Sequence, residues 1–168
     1  ELPADAPVGV TLASYLALPD ASIELKLTPN RPDCLGLRGL ASEKHGVWSA
    51  FETAHPGDPR AQLEAWLVEA ARNVSDPKSR GCAFANAAVE LPEKEHPARC
   101  VIEQSKQTSR GKLVALCSSA GASQPELLAD QLFMLLEGAQ VCTQSLGHEG
   151  PARHFIEAGR AIVAAHLR

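Results

Sequence analysis

PELLADQLFMLLEGAQVCTQSL, residues 125–146, is the most apolar long helical stretch of the chain. Pro125 suits a helix start, where its missing N–H is one the first turn leaves unpaired anyway. Leu127, Leu128, Leu132, Leu135, Leu136 and Val141 cover more than one face of a 3.6-residue repeat. Such a helix is either buried all round or packs on its own core and on a partner subunit.

The flanking sequence has the same character. Gly147 to Pro151 reads as a loop, and 152–167 as a last helix with Phe155, Ile156, Ile162 and Val163 apolar. Upstream, a helix is expected from Pro97 to Ala120, with Val101, Leu113, Leu116 and Cys117 inward and Gly111 weakening it. A short apolar helix spans Cys82 to about Val89. Asp58 reads as an N-cap and Pro59 as the first helical residue, followed by Leu63, Trp66, Leu67, Ala70 and Val74 at helical spacing. The chain before this is different. Ile23-Glu24-Leu25-Lys26-Leu27 alternates like a half-buried strand, and Thr28 to Pro32 ends it because two prolines interrupt the ladder. A helix capped by Asp33 and starting at Cys34 would place Leu37, Leu40, Val47, Trp48 and Phe51 on one face.

Composition narrows the function. With 168 residues there is enough chain for one domain with a real core. Aromatics are only 4%, so Ala, Leu and Val must fill that core, which favours close-packed helices. A net charge of −4 argues against general electrostatic affinity for nucleic acid. No apolar run reaches membrane-spanning length, so no membrane partner is expected. Five cysteines without a C-x-x-C pair fit free thiols in a reducing, cytoplasmic compartment. The six histidines lack ligand spacing, so neither metal nor cofactor is expected. No nucleophile–base pair or phosphate loop is visible, and the chain is not expected to be an enzyme. Beginning at Glu1 rather than Met is expected of a fragment or a processed chain.

Two resemblances follow from specific runs. Leu2-Pro3-Ala4-Asp5-Ala6-Pro7-Val8-Gly9, Tyr15-Leu16, Ile23 to Leu27 and above all Thr28-Pro29-Asn30-Arg31-Pro32-Asp33-Cys34-Leu35 resemble the bacterial phenylalanine–tRNA ligase beta chain. The likeness covers residues 1–41. It implies the scaffold stretch after the oligonucleotide-binding-fold module, with no aminoacylation or editing site. Asn30 and Arg31 are candidate RNA contacts. Turn and cap hydrogen bonds from Asn30 and Asp33 beside a solvated Arg31 account for them better, because no basic cluster or stacking surface accompanies them.

Residues 42–168 resemble the C-terminal effector-binding and dimerisation domain of TetR-family transcriptional regulators. Gly57-Asp58-Pro59-Arg60-Ala61-Gln62-Leu63, Ser79-Arg80-Gly81-Cys82-Ala83-Phe84, Asn86 to Pro92, His96 to Arg99, Leu135 to Ala139 and Gly150 to Arg153 carry the likeness by their order and spacing. The expected fold is therefore mainly α, a TetR-like C-terminal helical bundle preceded by a short α/β fragment. The resemblance implies a small apolar or amphipathic effector held by Trp66, Phe84, Asn86, Phe133, Glu137 and Gln140. It also implies a homodimer through Leu128, Leu132, Leu135, Val141, Phe155, Ile162 and Val163. The family's helix-turn-helix should precede Ser42, where the ligase-like segment stands, so no sequence-specific DNA binding is expected. A ligase beta-chain fragment with a structural or tRNA-related role is the alternative.

Overall fold

In the computed structural model, residues 48–167 are described, except 92 and 94. The expected strand 23–27 and most of the helix expected from Cys34 lie outside the described residues. The described part of that helix, 48–54, is helical, with Phe51 buried and Trp48 half-buried against it, edge to face at 6.1 Å.

Five further α-helices follow: α1 Pro59–Ser75, α2 Ala83–Glu90, α3 Pro97–Ser119, α4 Pro125–Leu146 and α5 Phe155–His166. There is no strand among the described residues. The described residues form a helical bundle, mainly α as the sequence predicts, and the short α/β fragment expected before it lies outside them.

Helix α1 starts where side-chain chemistry dictates. The Asp58 carboxylate accepts a hydrogen bond from the Ala61 N–H at 3.0 Å, and Pro59 follows it. Asp58→Ala is expected to cost about 1 kcal/mol in urea unfolding, the usual worth of a lost N-cap. Leu63, Trp66, Leu67, Ala70 and Val74 all face inward as their spacing predicts.

Helix α3 ends in a paired-carbonyl cap. Gly121 takes φ +87° and donates to Ser118 O, and Ala122 donates to Cys117 O. A side chain at that φ would be strained, which is why glycine stands there. The inward set of α3 differs from the sequence expectation. Ala98, Ile102, Ser105, Leu113 and Cys117 are buried, whereas Val101 and Leu116 are half-buried. The small Ala98 and Ser105 take inward positions, and the larger Val101 turns to the flank.

Helix α4 sits centrally, packing on α1, α3 and α5. Leu128, Ala129 and Leu132 are fully buried, joined from other elements by Leu63, Leu67, Leu113, Cys117 and Phe155. The last helix begins with a 3-10 turn, Pro151–His154, rather than regular α-helix from residue 152. Tight turns are common where a proline starts a helix. Helix α5 approaches α1 closely at Gly159, where an added Cβ would lie 2.6 Å from Leu67 Cδ2. An ion pair ties α3 to α4, from Arg110 to Asp130. The hydrogen bond from Arg110 holds the Asp130 carboxyl below its ordinary value. That tie is therefore intact above the ordinary carboxylate range and is lost as pH falls through the lowered value.

Candidate functional site

Four of the six sequence-chosen ligand contacts fall on one side of the bundle. At 100° per residue, Phe133, Glu137, Gln140 and Gln144 occupy one narrow face of α4. Along that face two polar clusters form. In the first, Lys106 of α3 extends its ammonium to the Glu137 carboxylate and to Cys82 Sγ, the latter at 3.2 Å. The same ammonium lies 5.4 Å from the Phe133 ring centroid, within cation–π range. In the second, the Gln144 amide donates to Arg80 O and to Asn86 Oδ1, and Asn86 Nδ2 donates to Arg80 O at 3.0 Å.

Gln140 comes between Glu137 and Gln144 on this face. Its Oε1 is buried with no hydrogen-bond partner. An unpaired buried amide oxygen costs on the order of 1–3 kcal/mol, which a donor group on a bound molecule would relieve. His148 Nδ1 is the other such atom among the described residues. It stands in the loop after α4, away from this face in sequence.

The remaining predicted contacts are placed differently. Phe84 is 1% exposed in α2, which packs chiefly on α3. Trp66 belongs to the main core with Leu63 and Leu67 on α1. Lys106, Cys82 and Gln144 join the cluster although none was chosen from the sequence. A lysine within the polar run Glu103-Gln104-Ser105-Lys106-Gln107 reads as solvated. Gln144, one turn beyond Gln140, was within reach of helical spacing.

The local chain geometry explains the convergence. Gly81 takes φ +74° between α1 and α2, and the Gln144 side chain lies where a Cβ at Gly81 would stand. The turn thereby presents Arg80 O to α4 and sets Cys82 at the N-cap of α2. A cavity of about 410 Å³ lies elsewhere, lined by Phe51, His55, Ala61, Glu64, Ala65 and Val68 among others. A second, of about 390 Å³, is lined by Gly121, Ser123, Gln124, Ala165 and His166. Neither includes any of the six predicted contacts.

The residues named for an interface divide by face. Leu128, Leu132 and Phe155 are buried in the chain's own core, so they have no surface left for a partner. Leu135, Ile162 and Val163 are partly buried against that core. Val141 is 58% exposed, and it shares an outward stripe with Leu127 and Met134, spaced every seven residues. Gly138 lies within the stripe, with nothing within 4 Å of an added Cβ.

Among the described residues no group of three or more His, Cys, Asp or Glu is placed to hold a metal ion. No described helix is long and apolar enough to cross a membrane.

Comparison with known proteins gives two different likenesses. No family model matches the chain. Half of the chain, over 86 residues, is 45% identical to the phenylalanine–tRNA ligase beta subunit of Xylella fastidiosa strain Temecula1. A 41-residue stretch is 73% identical to the same subunit of Xanthomonas campestris pv. campestris strain 8004. These matches span 11% and 5% of the relatives' own length. The longer match takes in 50% of the chain and so extends beyond residues 1–41. By structure, the chain is similar to a crystal structure described as a TetR transcriptional regulator from Streptomyces avermitilis. The TM-score is 0.59 at 21% identity, over 95% of this chain and 88% of that one. The chain thus has a TetR-like fold, and half of it is similar in sequence to the ligase beta subunit.

Proposed function

We propose that residues 42–168 form an effector-binding and dimerising regulatory domain, preceded by a ligase-like segment at 1–41. The convergence of Asn86, Phe133, Glu137 and Gln140 on one face between α2, α3 and α4, with an unpaired amide oxygen among them, carries this reading. A small amphipathic effector suits the face, with Phe133 as the apolar wall and Gln140 Oε1 as acceptor. The outward stripe Leu127, Met134 and Val141 on α4 is the dimer surface, and Gly138 leaves room for a partner helix. No operator recognition is assigned to residues 42–168. The domain acts by ligand and partner binding rather than catalysis, in the cytoplasm.

Titration with the amphipathic dye 1-anilinonaphthalene-8-sulfonate tests the ligand face. Saturable binding to the folded chain is expected, weakened about tenfold by Phe133→Ala, or roughly 1.4 kcal/mol. Gln140→Leu should also shift it. Unsaturable binding, or identical titrations for both variants and the parent, would remove the effector assignment.

The 73% identity over 41 residues favours one second reading, a ligase beta-chain piece acting through tRNA. Salt-sensitive tRNA binding by the full chain would support it, because phosphate contacts release counterions.

A further inference from the structure

Cys82, Lys106 and Glu137 belong to three separate segments, the N-cap of α2, α3 and α4. The Cys82 side chain is buried, at 7% exposure for the residue. Lys106 and Glu137 are 23% and 31% exposed at their side chains, so the cluster opens to solvent on the lysine side. Lys106 is held from two directions besides the thiol, by the Glu137 carboxylate and the Phe133 ring. Its nitrogen therefore stays at 3.2 Å from Sγ, the separation of a near-attack pair.

We propose that Cys82 and Lys106 form an oxidation-triggered covalent bridge between α2 and α3, with hydrogen peroxide as oxidant and Glu137 as proton acceptor. Peroxide converts the Cys82 thiol to a sulfenic acid and is itself reduced to one water. Glu137 takes a proton from the Lys106 ammonium. The freed amine lone pair attacks sulfur, an S–N bond forms and the S–O bond breaks. The departing hydroxide takes the second amine proton and leaves as water. Glu137 then returns its proton to solvent. The net change is one thiol, one ammonium and one peroxide giving one S–N bond, two waters and one proton.

The surrounding chemistry favours this pair over the other thiols. Burial pushes the Cys117 thiol up to about 11, so it supplies almost no thiolate at neutral pH. Cys100 is an exposed free thiol, whereas Cys82 has an amine held beside its sulfur. Helix α2 is short and packs chiefly on α3, so a bridge there adds a tie where packing is thin. The bridge does not depend on whether the neighbouring face takes an effector.

The full chain would be treated with hydrogen peroxide, digested without reductant and analysed by mass spectrometry. The expected product joins the Cys82 and Lys106 peptides, lighter than their sum by two hydrogens and released by dithiothreitol. It should be absent from Cys82→Ser and from Lys106→Arg, which keeps the positive charge beside Glu137. Cys82 recovered unmodified, or as sulfinic or sulfonic acid with no joined peptide, would overturn the proposal. So would the same bridge mass persisting in Lys106→Arg.

Discussion

Leu132→Ala is expected to lower stability by about 3 kcal/mol in urea unfolding, whereas Met134→Ala changes it by less than about 0.5 kcal/mol. Both residues lie on α4, two positions apart. Leu132 is fully buried between α1, α3 and α5, and truncation leaves a cavity that the close-packed helices cannot fill. Met134 is 65% exposed, so its loss removes little buried area within one chain. The comparison is made on dilute protein, where association contributes least. Equal costs at the two positions would mean that α4 is turned differently on the bundle.

The second large effect concerns association. Met134→Glu combined with Val141→Glu is expected to convert the proposed dimer to monomer and to raise its dissociation constant at least about a thousandfold, roughly 4 kcal/mol. Two carboxylates per chain would enter a twofold-related apolar contact, where like charges oppose one another without partners. Neither side chain supports the monomer's core, so the thermal unfolding midpoint of the isolated chain should hardly move. Sedimentation velocity reads the mass and circular dichroism reads the fold. A double variant that stays dimeric with unchanged affinity would place the contact on another surface.

Much of this was legible from local chemistry. Asp58-Pro59 and Pro125 mark helix starts by capping and by the missing N–H, and the structure begins α1 and α4 there. The inward set of α1 follows from spacing because Leu63, Trp66, Leu67, Ala70 and Val74 form an unbroken apolar stripe. In α3 the run from Glu103 to Lys112 contains no large apolar residue to fix the rotation. Ala98, Ile102 and Ser105 thus take the inward positions instead of Val101, a choice made by the neighbouring helices, while Leu116 stays partly buried against the core.

The same distinction applies to the candidate site. Phe133, Glu137 and Gln140 share a face by helical arithmetic alone. Lys106 reaches Glu137 across 31 residues and Cys82 across 24, contacts that no periodicity encodes. The leucines of α4 illustrate a further ambiguity. A helix apolar on several faces does not announce which face meets its own core, and Leu128 and Leu132 turned inward while Leu127, Met134 and Val141 face out.

Static light scattering of the full chain, taken across the micromolar range, tests the account most directly. A mass of twice 17.8 kDa, falling toward 17.8 kDa only on strong dilution, is the result expected from an outward apolar stripe that pairs with its copy. A mass of 17.8 kDa at every concentration would contradict the assignment of that stripe as an interface, and with it the dimeric regulatory domain proposed here.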